Sequence, residues 1–271
     1  MLLRLLRFPA LLGLTACSVY TPLQVPAPLI DGPRQVEVSG GLNTLGSLQG
    51  AAVYSPCAHV LLRGAGAFGN LTGSDTRDSV TLNTELRTRQ LEAALGTYWR
   101  PSPAVLLGGF AGYGLGRGAH SYLKLSGLRG ALFRDRSQDS IWTYQYQARY
   151  RRLFAEAYLH WFAEDLMSVG VAYRIDHVRF RRYVNAEVPT DFRQMWYHEP
   201  TLFFRFSGSR QPADDWVNAQ LGFGYGFSPG FRLPEERAGN RAATEARKSR
   251  LSITLSLVFQ PHLLWQRPRR E

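Results

Sequence analysis

The chain has 271 residues, with 26 glycines, 13% aromatic residues and a formal net charge of +11 at pH 7. Glycine and aromatic residues at these levels favour sheet over helix. Arginine carries nearly all of the positive charge, because Lys124 and Lys248 are the only lysines. Outside the predicted strands no compact basic run is interleaved with stacking aromatics, which argues against nucleic acid as a partner.

The N-terminus has the pattern of an export signal over residues 1–16. Two arginines supply a positive region, and the apolar region after them is too short to span a membrane. The LTAC sequence that ends at Cys17 resembles a lipobox, which predicts cleavage after Ala16 and acylation of Cys17 by a fatty acid such as palmitate. A plain secretory signal ending near a cysteine is the alternative. If Cys17 is acylated, Cys57 has no disulfide partner.

Residues 17–33 are predicted to be a lipidated, proline-rich tether. Four prolines fall in this stretch. Repeated prolines remove backbone donors and favour an extended, polyproline-like chain, so the pattern indicates a tether and not a folded element. The alternative, an edge strand crossing the domain, is weakened by the same prolines.

From residue 34 to residue 260 short strand patterns alternate with turn signals. Ten strands are predicted, at 35–42, 47–55, 58–68, 84–99, 104–116, 150–162, 166–180, 198–208, 216–227 and 251–259. The sixth could begin as early as Thr143, and it forms a hairpin with the seventh that turns near residue 164. Each strand has one apolar face and one mixed face, since successive side chains point to opposite sides. Residues 261–271 are predicted to be a basic C-terminal tail.

The connections between these strands alternate in length. Those near residues 56, 101, 164 and 212 are short, whereas those at 69–83, 117–142, 181–197 and 228–250 are long. Outer-membrane barrels combine short periplasmic turns, long external loops and an even number of strands with aromatic girdles. Aromatic residues lie beside the short turns, namely Tyr54, Trp99, Trp161, Phe162 and Trp216. The sequence therefore predicts an all-β, antiparallel transmembrane β-barrel of about ten strands, eight to twelve being compatible with the pattern, with both ends and the Cys17 anchor on the periplasmic side.

A soluble, lipocalin-like binding barrel is the competing fold. Its apolar residues would face inward and its charged residues outward. The non-apolar faces of the ninth and tenth strands instead hold small polar residues, which suit a narrow hydrated lumen better than a surface washed by solvent. Leu106 and Phe110 fit the membrane barrel less well, because both fall on its predicted lumen face.

Several segments together resemble an uncharacterised group of Bacteroidetes-type outer-membrane β-barrel lipoproteins. They are the lipobox, the Tyr20-Thr21-Pro22 start of the tether, SLQGAAVYSPCAHV at 47–60, RLFAEAYLHW at 152–161, HEPTLFFRFSG at 198–208 and NAQLGFGYGF at 218–227. The resemblance implies a fold and a location but no activity. The chain departs from the usual outer-membrane pattern of ending on an aromatic residue, because QPHLLWQRPRRE follows Phe259.

Charged residues of both signs fall on the predicted lumen faces. They are Glu92, Glu156, Arg174, Asp176 and Arg205. We interpret them as a structural network of ion pairs, the alternatives being a proton or anion path or a catalytic acid. His160 shares a face with Glu156, and Ser168 lies across the turn, but a serine hydrolase set is defined by geometry and not by sequence proximity. The sequence has no His and Cys spacing typical of a metal site, and it predicts no cofactor.

The long loops at 117–142 and 228–250 each have an excess of arginine and lysine over acidic residues. Arginine suits bidentate binding of phosphate, so lipopolysaccharide is a candidate partner there, alongside other membrane lipids. A solvated charged loop is the alternative. The sequence thus predicts an outer-membrane barrel, lipid-anchored through Cys17, with a structural or surface-interaction role and no catalysis. A narrow pore or transporter component, a lipid-modifying enzyme and the lipocalin-like binder remain alternatives.

Overall fold

The computed structural model describes residues 19–24, 26–77, 80–126, 140–164, 166–208, 215–230 and 241–265. The predicted signal peptide at 1–16, including the cleavage site at Ala16, and the lipidation site at Cys17 lie outside the described residues, as does the tail from 266 onward. Among the described residues no helix is long and apolar enough to cross a membrane.

The described chain forms eleven strands and two short helices. The strands are β1 (Val36–Asn43), β2 (Ser47–Tyr54), β3 (Leu61–Arg77), β4 (Val80–Ser102), β5 (Val105–Ser126), β6 (Ser140–Glu164), β7 (Met167–Asn185), β8 (Val188–Pro189), β9 (Gln194–Ser207), β10 (Val217–Gly226) and β11 (Arg250–Phe259). The helices are α1 (Arg241–Arg247) and α2 (His262–Trp265).

Ten of these strands close into a single antiparallel barrel. β1 pairs with both β2 and β11, β6 pairs with β7, and β7 pairs with β9, so the sheet has no open edge among these ten. The two-residue β8 pairs with the end of β7 and lies outside the closed sheet. The predicted transmembrane-type barrel of ten strands is confirmed.

The central strands extend well beyond their predicted ends. β5 and β6 pair continuously up to Ser126 opposite Ser140, within the stretch 117–142 that the sequence predicted as a loop. β3 and β4 likewise pair up to Arg77 opposite Val80, within the stretch 69–83 that the sequence predicted as a loop. Backbone hydrogen bonds between strands do not require an apolar face, so these hairpins continue past the end of the apolar alternation. The loop predicted at 228–250 includes α1.

The two faces of the barrel differ as predicted. On β4 the outward side chains of Leu91 and Leu95 are 72% and 64% exposed, whereas Gln90 and Glu92, the inward neighbours of Leu91, are 3% and 6% exposed. An outer surface of this kind is stable in contact with lipid, because a water-facing sheet surface would be polar.

An aromatic girdle surrounds the end of the barrel where the short turns lie, here called the short-turn end. Tyr54, Trp99, Trp161 and Trp216 are all at least 41% exposed on the outer surface. Phe162 was predicted to join them, and that prediction is wrong. It shares the inward parity of His160 and packs against the apolar cluster in the lumen.

The N-terminal segment runs through the lumen. Residues 19–24 and 26–30 are buried, the apolar ones at 3% exposure or less. The prolines do give extended backbone outside any strand, as expected of a tether. The segment nevertheless lies inside the barrel and not beside it, because its apolar side chains pack in the buried clusters of the lumen while Thr21 and Gln24 bind polar side chains of the wall.

Candidate functional site

Four strands aim charged side chains at the middle of the lumen. They are β3 with Arg63, β4 with Glu92, β6 with Arg152 and Glu156, and β7 with Arg174 and Asp176. All six occupy inward positions of the alternation, and Glu156 is directly opposite Arg174 in the β6–β7 register. Three guanidinium groups therefore meet three carboxylates inside the barrel, and we call these six residues the lumen network.

Glu92 is the centre of the lumen network. Its Oε2 accepts from Nη2 of Arg152 and Nη2 of Arg174, each at 2.7 Å, and its Oε1 lies 3.3 Å from Nη2 of Arg63. The side chains of Arg63, Arg152 and Glu92 are completely buried. A carboxylate in such a place is stable only when charged donors replace the water it has lost, and here three do so.

Glu156 and Asp176 complete the lumen network. Arg63 donates to both oxygens of Glu156, with Nη1 to Oε1 at 2.8 Å and Nη2 to Oε2 at 3.0 Å. Arg174 donates from Nε to Asp176 Oδ2 at 3.1 Å and lies 3.5 Å from Glu156. The structure thus brings together four of the predicted lumen residues, Glu92, Glu156, Arg174 and Asp176. A seventh charged residue, Glu199, is 2% exposed and lies opposite Arg174 in the β7–β9 register.

Arg205, the fifth predicted lumen residue, belongs to a separate group. Its guanidinium binds both oxygens of Glu37 at 2.9 and 3.1 Å and the side-chain oxygen of Gln220 at 3.1 and 3.0 Å. It also donates to the Ala27 carbonyl oxygen at 2.6 Å. Arg205 therefore fixes the N-terminal segment to the barrel wall.

Sequence reasoning missed Arg63, Arg152, Glu37 and Glu199. The signal was present for Arg152, which shares the parity of Glu156 on the same strand, and for Glu37, which alternates with Val36 and Val38. Both lie inside predicted strands, at 35–42 and 150–162, so applying the alternation to every residue of those strands would have found them.

Aromatic rings explain the inward apolar residues of β5. The Arg63 guanidinium lies 4.1 Å from the Phe110 ring centroid, and that of Arg174 lies 3.8 Å from the Phe154 centroid. Rings at these distances attract a desolvated cation. Leu106 and Phe110 also pack against Ala27, Leu29 and Ile30 of the N-terminal segment in one buried cluster. Their inward position therefore follows from the segment that fills the lumen.

Polar side chains hold the N-terminal segment along its length. The Gln24 amide donates to Gln49 Oε1 and the Leu29 amide to Glu37 Oε2, each at 2.9 Å. Gln90 donates to the Thr21 carbonyl oxygen. These bonds satisfy backbone groups that have no partner in a strand, which a buried segment requires.

Little space remains around the segment. A cavity of about 30 Å³ lies between Gln24, Glu156, Arg174 and Glu199, among others. That volume holds about two water molecules. Among the described residues, the segment and the lumen network occupy the middle of the lumen.

The residues considered for hydrolytic chemistry are not arranged for it. His160 is fully buried, and its Nε2 donates to the Ala27 carbonyl oxygen at 3.2 Å, so that nitrogen cannot act as a base. Glu156 is held by Arg63, and Ser168 lies opposite Phe162 and Arg205 in the sheet. No group of three or more His, Cys, Asp or Glu side chains within the described part of the chain could hold a metal ion.

Comparison with known proteins gives structural similarity only. No protein-family model matches the chain, and no curated protein does. The outer membrane protease OmpT from Escherichia coli is similar at a TM-score of 0.46 and 13% identity, covering 84% of this chain and 94% of OmpT. The translocator domain of autotransporter NalP from Neisseria meningitidis is similar at 0.42 and 10% identity, covering 85% and 89%. The Ralstonia pickettii toluene transporter TbuX is similar at 0.39 and 11% identity, covering 90% and 76%.

These solved structures differ in activity, and at such identities the likeness concerns the fold. The closed ten-stranded sheet, the apolar outer face and the aromatic girdle are features of the chain itself. Together they give it the fold of an outer-membrane β-barrel.

Proposed function

We propose that this chain is a lipid-anchored outer-membrane barrel, closed by its own N-terminal segment, with a structural or surface-interaction role and no catalysis. The observation that carries the proposal is the burial of residues 19–24 and 26–30 in the lumen. A barrel whose lumen is filled by its own chain and tied by ion pairs presents only its outer surface and its loops to partners.

The direction of the segment bears on the predicted anchor at Cys17. Near its start, the Val19 carbonyl oxygen contacts Gly118, toward the end of the barrel that carries the long loops. At its other end Asp31 pairs with Arg100 at the short-turn end. Two residues span at most about 7 Å. While the segment is in the lumen, a lipid on Cys17 would therefore reach the membrane at the long-loop end, and not at the short-turn end that the sequence alone suggested.

A gated narrow pore is the second candidate. The segment forms no strand with the barrel, and side-chain hydrogen bonds hold it, so it could leave without unpairing the sheet. A lipid on Cys17 could be held in the leaflet at the short-turn end only if the N-terminal segment had left the lumen. Closure and the position of the anchor are thus coupled, and both can be measured.

A disulfide between the segment and the wall separates the two candidates. A Cβ on Gly224 would overlap the end of the Gln24 side chain, so a side chain at position 224 points toward the segment at residue 24. In a Cys57→Ser background, we expect Gln24→Cys/Gly224→Cys protein to show no conductance in planar bilayers, either oxidised or reduced. Conductance that appears only on reduction would support the gated pore, and steady conductance of the unaltered protein would overturn the closed barrel.

The anchor is tested separately. We expect labelled palmitate to be incorporated into the unaltered chain and not into Cys17→Ala protein. Both should show a heat-dependent shift in gel mobility, because the barrel itself resists mild detergent. Absence of label from the unaltered chain would overturn the lipid anchor, and release of Cys17→Ala as soluble protein without a mobility shift would overturn the membrane barrel.

A further inference from the structure

Four arginines form a continuous row across the outside of the barrel. Arg89 on β4 is directly opposite Arg117 on β5, Arg117 is opposite Arg149 on β6, and Arg149 is opposite Arg182 on β7. All four are exposed. We call them the arginine row. The pairing of strands, and not their sequence spacing, brings these residues side by side.

The arginine row is unfavourable without an anion. Neighbouring strands lie about 4.8 Å apart, and like charges directly opposite each other destabilise a sheet. Among the described residues that line the groove along the row, Glu85 is the one carboxylate, and it pairs with Arg87. Arg89 stacks over Phe68, with its guanidinium 5.3 Å from the ring centroid, which does not neutralise its charge. The row therefore has excess positive charge that a ligand could offset.

A second pair of arginines strengthens the same surface. Arg151 on β6 and Arg179 on β7 are directly opposite each other, on the side of the arginine row nearer the short-turn end. The groove beside the row has a volume of about 310 Å³. Its floor includes Ala119, which has the same outward parity as Arg117, and this small side chain leaves room for a group to approach the guanidinium groups of the row.

The height of the row fits the membrane surface. Arg89 precedes the girdle residue Trp99 by ten positions on β4, and Arg149 precedes Trp161 by twelve on β6. At about 3.3 Å per residue and a strand tilt of about 40°, these distances are roughly 25 to 30 Å along the membrane normal, close to the height of the apolar band of such barrels. With the girdle at one interface, the arginines lie at the level of the lipid headgroups at the other.

We propose that the arginine row binds the phosphate groups of anionic lipids in the leaflet next to the long loops. Guanidinium groups bind phosphate oxygens in a bidentate manner, and one phosphate between neighbouring arginines would offset their repulsion. The inference rests on the proposed placement in the outer membrane and names the partner of that surface. It also moves the lipid site predicted for the loops onto the barrel wall. In the stretch predicted as a loop at 228–250, Arg247 donates to the Gly230 carbonyl oxygen and Arg250 to the Thr21 hydroxyl, so these two arginines already have partners within the protein.

The test compares two double variants of the full-length chain in detergent. Arg117→Gln/Arg149→Gln removes the centre of the arginine row, and Arg34→Gln/Arg193→Gln removes the same charge from two exposed positions outside it. We measure binding of lipid A, of lipid A with its phosphates removed, and of inorganic phosphate. We expect the row variant to bind lipid A roughly tenfold more weakly, since two exposed charge pairs are lost, and the control to bind it as the unaltered chain does.

Three results would overturn the inference. They are unchanged binding by the row variant, an equal loss in both variants, and displacement of lipid A by inorganic phosphate at equal concentration, which would indicate a site for the free ion. A heat-dependent mobility shift is recorded for every sample. Its absence from the unaltered protein would contradict the membrane barrel itself, so a failure of the proposed function is recognised separately from a failure of the arginine row.

Discussion

Arg63 on β3 and Glu156 on β6 are 93 positions apart in the chain, yet they form a two-point ion pair inside the barrel. Two strands separate β3 from β6 in the sheet, so the pair reaches across the lumen. Arg174 on β7 likewise pairs with Glu92 on β4, and these two strands share no backbone hydrogen bonds.

Replacing Arg63 should destabilise the barrel strongly. The Arg63→Met side chain fills much of the same volume but leaves Glu156 without its bidentate partner and Glu92 with one cation fewer. Removing one partner of a buried pair costs about 3–5 kcal/mol of unfolding free energy. Urea unfolding in lipid vesicles measures the loss. Arg34→Met, at an exposed site, is the control and should change the free energy by no more than about 0.5 kcal/mol. Equal stability of the two variants would mean that the lumen network contributes nothing.

Replacing Gly118 should loosen the N-terminal segment. A Cβ at Gly118 would overlap the Val19 carbonyl oxygen, and backbone atoms cannot move aside as a flexible side chain can. We expect Gly118→Ala to increase hydrogen exchange of the Gln24 amide, which is otherwise protected by Gln49. Gly64→Ala is a matched control, because a Cβ there meets no atom within 4 Å. Protection that is the same in both variants would contradict the position of the segment.

Alternation alone predicts the strands where one face meets lipid. On β4, Leu91 faces outward and Glu92 inward, and the sequence shows both because a strand between lipid and a polar lumen must alternate. The signal is lost beyond Arg117 on β5, where neither face is uniformly apolar although pairing continues to Ser126. Backbone hydrogen bonding leaves no such pattern in the sequence.

The contents of the lumen could not be predicted in the same way. The prolines indicate an extended segment after Cys17 but not where it lies, since an extended chain has the same local signal inside a barrel and outside it. Contacts such as Arg205 with the Ala27 carbonyl join positions distant in the chain, and only the closed sheet brings them together. For the same reason the register of Arg117 and Arg149 is visible only once the strands are paired.

A charge on the outer surface should distinguish lipid from water around the barrel. Leu95 is 64% exposed and lies near the middle of the apolar band between Arg89 and Trp99. Arginine at the midplane of a membrane barrel costs about 2–4 kcal/mol, whereas on a surface washed by water it costs about 0.5 kcal/mol or less. We therefore expect Leu95→Arg to lower the unfolding free energy in vesicles, with Leu264→Arg, in α2, as the control. No difference between them would favour a water-facing surface.

Truncating Tyr20 should release the start of the N-terminal segment while leaving the sheet intact. Tyr20 is 1% exposed, its ring contacts Tyr150 and Tyr197 edge-on at 5.3 and 5.1 Å, and its hydroxyl accepts from Arg152 at 3.3 Å. Tyr20→Ala removes both kinds of contact, with a cost of about 3–5 kcal/mol to local stability, and should make residues 19–30 sensitive to added protease. Tyr20→Phe keeps the ring contacts, so we expect it to remain largely resistant. If both variants are cleaved at the same rate, the hydrogen bond from Arg152, and not the ring contacts, retains the segment. If both resist cleavage, Tyr20 does not retain the segment in the lumen.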